Sequence, residues 1–428
     1  MDIRMETTDT AAVPLATRTE KPWAVVLLLM VGWMIAFIDR TSMSAAMADK
    51  TFIGTFSLSH IERGWLGSAV FWSYAVMQVP LGWVVDRYGV KWPYTICFAL
   101  WCVATAATAW AESLTGLVVV RLLIGATEAI VLPASYRYIA IHFDENRKGS
   151  ATAVYSMGGK LGPAVGAALA AALIVQYSWK SMFILTGLVG LLWLLPWLTM
   201  VSNDFPSEAA LAATKRQAGR VPMRNLLVSP VVWSGFIMTF CFSYFLFYAA
   251  TWMPAYLVEQ RHLSMMHSGI YTSVSFVLSA AVALAAGTAA DYFIARGHDP
   301  VSVRKKFIVV GAFGGMTILF GAYAESQTAA LFWNVASLAM VGLATTNNLA
   351  LSKMTLIPKP AIGLNTGLLT IATSLAGGIS ASLSGWLLHM GGSYTLPMMS
   401  VCVFLLLAVL SALLLMKRKW APRIDDLN

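Results

Sequence analysis

The chain alternates between long apolar stretches and short polar ones. Apolar runs of about 20 residues, the length that crosses a bilayer core of about 30 Å as a helix, recur from Trp23 almost to the C-terminus. An unpaired backbone amide or carbonyl in lipid costs several kcal/mol, so runs this apolar must be helical. The pattern predicts an all-α membrane protein with twelve transmembrane helices, bounded at 23–48, 64–85, 93–111, 114–141, 150–175, 181–201, 228–258, 268–292, 307–323, 329–351, 361–388 and 394–416.

The longest polar stretch between these runs divides the twelve helices six and six. A repeat supports the division, because Gly82 and Asp86 after the second helix have counterparts in Gly287 and Asp291, 205 residues further on, after the eighth. Two parallel six-helix halves with a site between them near the membrane midplane are a known transporter plan. The predicted segments are a tail (1–22), a first half (23–201), a linker (202–227), a second half (228–416) and a second tail (417–428).

Composition and charge narrow the class further. Of the 428 residues 58% are hydrophobic and 11% charged, against about 25% charged in a soluble protein. The net charge is +9, yet 22 of the 29 Lys and Arg residues fall in loops and tails on one side of the predicted bundle and only four on the other, Lys50, Arg63, Lys180 and Arg261. This asymmetry predicts a multi-pass membrane protein with both termini in the cytoplasm. It argues against a nucleic-acid partner. The protein is expected to be surrounded by lipid and to function as a monomer.

Five ionisable side chains lie deep within the predicted helices: Asp39, Arg40, Arg121, Glu128 and Lys160. Each costs about 2.5 to 3.5 kcal/mol at mid-bilayer, and such groups usually mark substrate or proton pathways. The alternative is an ion-pair network that only fixes helix packing. Arg121 and Glu128, seven residues apart, return to one helix face about 10 Å apart and can line one cavity. Three cations against two carboxylates leave one positive charge, which an anionic substrate would balance.

A loop motif follows the second helix. The stretch Gly82-Trp-Val-Val-Asp86-Arg87-Tyr-Gly89-Val-Lys91 looks like the loop signature of the major facilitator superfamily. Glycine permits close helix contact, and an Asp at a helix end can pair with Arg or with a neighbouring helix terminus. We therefore predict a cytoplasmic gate, although a loop that only anchors topology is the alternative. The predicted gating residues are Gly82, Asp86, Arg87, Gly89, Lys91, Asp291 and Arg296.

Other stretches resemble the anion:cation symporter family, which includes bacterial sugar-acid transporters, vesicular glutamate transporters and sialin. The likeness covers nearly the whole chain, through Ile38-Asp39-Arg40, Tyr74 to Gly89, Arg121 to Glu128 followed by Pro133, Trp179 to Phe183, Trp252 to Leu257, and Asn365. The resemblance implies that Arg40 binds the substrate carboxylate and that Asp39 and Glu128 carry protons. It implies that Arg121 tunes Glu128 or shares the anion. Tyr74 and Asn365 add polar contacts or, alternatively, hydrogen bonds between helices.

The sequence departs from the family pattern at three places. Ser42 stands where many relatives have Asn, Leu81 replaces a common Gly, and Lys160 lies in a stretch that is usually uncharged. These departures leave the substrate open. Lys160 is expected to contact a second anionic or strongly polar group of the substrate, or else to be structural. Uncharged contacts are expected from the second half, with Tyr244, Tyr248, Asn347, Asn348 and Asn365 as candidates.

The resulting hypothesis is a secondary active transporter of the bacterial inner membrane. It takes up a small organic anion, such as a sugar acid or other carboxylate, together with protons by alternating access. One alternative is a proton-coupled antiporter that exports organic compounds, because Gly158 to Gly166 resembles a Gly-Pro motif of drug:proton antiporters. The same glycines can simply permit close helix packing. Another is a ligand sensor that does not transport. No nucleophile-base pair or metal-ligand spacing indicates an enzyme, a cofactor or a metal.

Overall fold

A computed structural model describes residues 21–202, 226–358 and 361–422. Within these ranges twelve helices are long and apolar enough to cross a membrane, which confirms the predicted all-α fold. A short additional helix, Lys50–Phe56, follows the first of them. We number the twelve α1 (Pro22–Ala46), α2 (His60–Tyr88), α3 (Lys91–Trp110), α4 (Leu114–His142), α5 (Asn146–Gln176), α6 (Trp179–Met200), α7 (Pro230–Glu259), α8 (Met265–Ala295), α9 (Pro300–Tyr323), α10 (Gln327–Lys353), α11 (Ile362–Gly391) and α12 (Thr395–Leu414).

Five helices that begin at the same end of the bundle share one local signal. The first amides of a helix lack partners within it, and a serine just before the helix can accept from one of them. A serine does this at the start of α2, α4, α6, α8 and α10, namely Ser59, Ser113, Ser178, Ser264 and Ser326. We call this end of the bundle the outer end, following the charge pattern, and the opposite end the inner end.

The two six-helix lobes meet closely at the outer end. A side chain on Gly64 of α2 would lie 3.0 Å from the carbonyl oxygen of Ala381 in α11, so only glycine allows this approach. Between α1 and α7, the hydroxyl of Ser44 donates to the carbonyl of Thr251 at 2.7 Å. These contacts close the space between the lobes at this end.

At the inner end the lobes separate. Gly363 and Gly367 in the first turns of α11 have no neighbouring atom within 4 Å of the position a Cβ would take. On the other lobe, a Cβ on Gly82 of α2 would have its nearest neighbouring atom 3.9 Å away, and that atom belongs to Pro133 of the same lobe. In the described part of the chain the cavity between the lobes therefore opens towards the inner end.

The structure corrects one helix boundary that matters for the site. The second helix was predicted to begin at residue 64, with Arg63 in an outer loop, but α2 begins at His60 and Arg63 lies in its first turn, 2% exposed. The reason is local, because Ser59 and Glu62 form a reciprocal capping box that starts the helix before the apolar run does. The predicted linker 202–227 and tails 1–22 and 417–428 lie largely outside the described residues, so these divisions stay predictions.

Candidate functional site

A central cavity lies between the lobes and consists of two adjoining pockets. The deep pocket, towards the closed outer end, is lined by both Arg40 of α1 and Arg121 of α4. The wide pocket holds Lys160 of α5 and encloses about 690 Å³ of space between atoms, which includes open solvent. Both pockets are lined by Phe37, Phe247 and Ala250, so they are continuous. Three of the five deep charges predicted from the sequence thus face one cavity.

Arg40 is bound by a carboxylate of its own lobe. Its Nε and Nη2 both donate to Oε2 of Glu128, at 3.0 and 2.8 Å. Glu128 is 0% exposed and stands at the end of the first segment of α4, Leu114–Glu128, just before a break in that helix. Its other oxygen, Oε1, has no hydrogen-bond partner among the described residues. The Arg40 guanidinium in the cavity wall is therefore one partner of a buried ion pair, with Glu128 behind it.

Aromatic rings surround the Arg40 guanidinium. The rings of Phe37, Phe71 and Tyr74 lie with their centroids 5.1, 5.3 and 5.2 Å from its central carbon. Such contacts stabilise a cation where water is scarce and leave its N–H groups free for hydrogen bonds in the plane. Tyr74 thus approaches Arg40 through its ring, although the sequence suggested a polar contact.

Arg121 and Asp39 complete the group of deep charges. Arg121 is buried, lines the deep pocket and has no partner for its Nε in the described chain. Asp39 is 1% exposed, and neither of its oxygens has a hydrogen-bond partner there. The spacing of Arg121 and Glu128 suggested that these two act together. In the structure the hydrogen-bonded partner of Glu128 is Arg40. Arg121 is seven residues away on the same helix, which is about 10 Å along the axis, whereas Arg40 of α1 lies at the level of Glu128.

The contacts from the second lobe differ from those predicted. Asn365 donates to the carbonyl of Ser352 at 2.8 Å, near the start of α11, and lines neither pocket. The other four candidates, Tyr244, Tyr248, Asn347 and Asn348, also lie outside the pocket walls. The polar side chains that the second lobe contributes to the pocket walls are small hydroxyls: Ser243, Thr251, Ser279, Thr345 and Thr373.

These hydroxyls carry no signal in the sequence, because Ser and Thr are scattered through all twelve helices. Ser243 is the neighbour of the predicted Tyr244, and consecutive residues point about 100° apart on a helix. The tyrosine instead faces the lobe interior, where its hydroxyl lies 2.8 Å from the hydroxyl of Ser400. The sequence thus indicated the correct turn of α7 but not the face that meets the cavity.

The two predicted gate aspartates form ion pairs within their own lobes. Asp86 pairs with Arg137 of α4, and Asp291 pairs with Arg304 of α9 at 2.8 Å. Among the described residues neither aspartate forms an ion pair with the opposite lobe.

The remaining predicted gate residues lie at helix ends. Arg87 and Arg296 lie over the rings of Trp83 and Tyr292, and Lys91 donates to the carbonyl of Leu198. Gly89 ends α2 with a positive φ of 80°, a conformation that favours glycine. Gly82 lies within α2, where a Cβ would be 3.9 Å from Pro133 of the same lobe. A role for these residues in gating stays a prediction.

An ion pair between the lobes closes the outer end, and the sequence did not reveal it. Arg63 of α2 lies 2.8 Å from Glu259 at the end of α7, and its guanidinium lies over Trp252. The Tyr394 hydroxyl donates to the same carboxylate at 2.6 Å. Burial raises the pKa of that hydroxyl well above its usual range, so it remains a proton donor. The signal that could have found Arg63 is the capping box, which places it inside the helix.

A family model described as the Major Facilitator Superfamily matches residues 29–356. The chain belongs to this superfamily. Members of this fold are transporters, and the chain is therefore a multi-pass membrane transporter and not an enzyme.

Individual relatives agree with this assignment. The D-galactonate transporter of Escherichia coli is 26% identical, with 91% of this chain and 94% of that protein covered. The probable galactarate/D-glucarate transporter of Bacillus subtilis is 24% identical, with 95% and 94% covered. A solved bacterial homologue of the human lysosomal transporter Spinster, inward-facing and occupied, superposes with a TM-score of 0.76 at 18% identity over 95% of this chain and 98% of its own, and shows the shared fold. The predicted resemblance to bacterial sugar-acid transporters is confirmed.

Proposed function

We propose that the transporter is a proton-coupled symporter that takes up small organic anions, carboxylates such as sugar acids, by alternating access. One observation carries the proposal: a guanidinium in the wall of the inter-lobe cavity, Arg40, is held by a fully buried carboxylate, Glu128. The names of relatives that transport galactonate and galactarate or glucarate support a carboxylate substrate.

Coupling follows from competition for one guanidinium. Ionised Glu128 occupies two N–H groups of Arg40 in a charge-assisted pair, and a substrate carboxylate needs the same groups. When a proton neutralises Glu128 the pair loses most of its attraction, and Arg40 is released to bind the substrate. Because linkage is reciprocal, a bound anion in turn favours protonation of Glu128.

Asp39 and Arg121 extend this arrangement. Asp39 lies in the same buried region without a hydrogen-bond donor, and intramembrane carboxyl groups of this kind belong to proton pathways in transporters. Arg121 lines the deep pocket beside Arg40, so a carboxylate there can receive hydrogen bonds from both guanidinium groups. Arg121 thus shares the anion, while Asp39 supplies a second proton site.

Alternation between two openings completes the cycle. In the form described here the Arg63–Glu259 pair holds the outer end closed and the inner end is open, so proton and anion leave to that side. With both termini in the cytoplasm, this release is uptake. When the inner end closes, the aspartates Asp86 and Asp291 come to face the opposite lobe and act as the gate.

The test is Glu128→Gln in reconstituted vesicles. Gln keeps the size of Glu and mimics its protonated form at every pH, so the variant should bind the anion and exchange labelled for unlabelled substrate. Uphill uptake driven by a pH gradient should fall to the part that Asp39 alone can couple, because the competition for Arg40 no longer includes a titratable group. Glu112→Gln, at an exposed site beyond the cavity, is the matched control and should accumulate substrate as the parent does. Normal accumulation by Glu128→Gln at acid outside pH would show that Glu128 is only a structural partner of Arg40.

The same vesicles separate the two alternative functions. A sensor would bind the anion but show no exchange, and an exporter would move protons in everted vesicles when a drug is added. The glycines that resemble an antiporter motif have another explanation in the structure. A Cβ on Gly162 would lie 2.6 Å from the Cβ of Phe37, and one on Gly166 would lie 2.9 Å from the Cα of Ile38, so they allow α5 to pack on α1.

A further inference from the structure

We infer that the preferred substrate is a compact dicarboxylate with an apolar body poor in hydroxyl groups, bound by Arg40 and Arg121 at one end and by Lys160 at the other. This inference rests on the proposed function and specifies its substrate class. It follows from the placement of the cations, from the walls between them and from the charge balance of the cavity.

Lys160 presents a second cationic position in the cavity. Its side chain is exposed to the wide pocket, and no hydrogen bond or ion pair joins it to another described residue. The adjacent Gly159 lies against the ring of Phe37, and Arg40 is one turn further along α1, roughly 4.5 Å in axial rise. A small dianion with a carboxylate at each end can therefore span the two pockets across Phe37.

The walls between the two cationic positions are apolar. Phe37, Phe247, Phe276, Leu246 and Pro163 line this region. In the described part of the chain no Asn, Gln, Asp or Glu lines either pocket.

In the described part of the chain four hydroxyls line the wide pocket, and two of them, on Ser243 and Ser279, are left as donors for a substrate. Those of Thr345 and Thr373 already donate to carbonyls of their own helices, at Gly342 and Leu369. A polyhydroxylated body would lose its water here without gaining equivalent hydrogen bonds, whereas an aromatic or short aliphatic body would lose nothing.

The charge balance points the same way. Three cations and two carboxylates leave the empty cavity with one positive charge when all five groups are ionised. A dianion that enters with one proton, carried by Glu128 while Asp39 stays ionised, brings the total to zero. A monoanion that enters with a proton leaves one positive charge in a membrane interior, where uncompensated charge is expensive. Proton symport and a neutral loaded cavity are satisfied together by a dianion.

The experiment compares matched acids on purified protein by calorimetry. The probes are benzene-1,3-dicarboxylate against benzoate, and galactarate against galactonate, so that each pair differs by one carboxylate and the two pairs differ in hydroxyl content. The parent should bind benzene-1,3-dicarboxylate most tightly of the four. Lys160→Gln should lower the ratio of dicarboxylate to monocarboxylate affinity about tenfold or more, the value of one charge-assisted contact. Lys160→Arg should retain most of the ratio.

Control variants keep the outcomes separate. Lys180→Gln makes the same change at an exposed site on the outer face and should leave the ratio as in the parent. Size-exclusion profiles and benzoate binding show that Lys160→Gln is folded. Equal loss for both members of a pair, or tighter binding of galactarate than of benzene-1,3-dicarboxylate, would overturn the inference while carboxylate transport stood. A parent that binds none of the four acids would overturn the proposed function as well.

Discussion

Replacement of Arg63 by Ala should open the outer end of the transporter. In the closed form Arg63 is almost fully buried between the lobes, paired with Glu259 and stacked on Trp252. The variant leaves Glu259 without its cation and removes the contact with the ring. Both changes destabilise the conformation with a closed outer end and leave the open conformation unaffected, because in the open conformation these groups face water.

The exposure of Arg63 and Glu259 sets the free-energy cost of this substitution to the closed conformation. Breaking a fully buried ion pair by removing one member costs about 3 to 5 kcal/mol. The Glu259 side chain is 25% exposed, so solvent screens part of this interaction. A cost of about 2 kcal/mol remains, which changes the ratio of the two conformations about 30-fold. Glu259→Gln should shift the ratio less, because the amide still accepts a hydrogen bond.

Thiol labelling from outside measures this ratio. A cysteine at Met47, which is buried beneath the closed outer end, is introduced into a variant that lacks the four native cysteines. An impermeant thiol reagent added to intact cells should label it about 30-fold faster when Arg63→Ala is present. The matched control is Arg261→Ala. Arg261 is also an outer arginine, but among the described residues its guanidinium bonds within its own lobe, to the Tyr256 hydroxyl and to carbonyls of α9 and the loop after it. Parent-like labelling in Arg63→Ala, or equal acceleration in Arg261→Ala, would show that the Arg63–Glu259 pair does not hold the outer end closed.

Two further predictions concern binding and topology. Arg40→Ala should remove anion binding while the protein remains folded, because truncating one partner of a buried charge pair costs about 2 to 5 kcal/mol; thermal-shift titration with carboxylates measures this, and unchanged affinity would exclude Arg40 from the site. Both termini should lie in the cytoplasm, given 22 basic residues in the predicted inner tails and loops against four outside; a C-terminal reporter that is active only outside the membrane would contradict this.

Much of the architecture follows from local features of the sequence. A helix across lipid must satisfy its backbone hydrogen bonds internally, so length and hydropathy alone predict twelve helices. The deep charges can also be recognised from the sequence, since an ionisable group in an apolar run is costly enough to be rare. For that reason Arg40, Arg121 and Lys160 could be named as candidates, and the structure places all three at the cavity.

Packing between the helices determines which of these groups are in contact. The pairing of Glu128 with Arg40, the closure of the outer end by Arg63 and Glu259, and the use of Ser243 in place of Tyr244 each depend on how two helices are rotated and shifted against one another. Those offsets are set by contacts between distant parts of the chain, such as Gly162 against Phe37 and Gly64 against Ala381. A single helix determines its own periodicity, but the partner of a side chain is determined by packing between helices, and the sequence does not state that packing residue by residue.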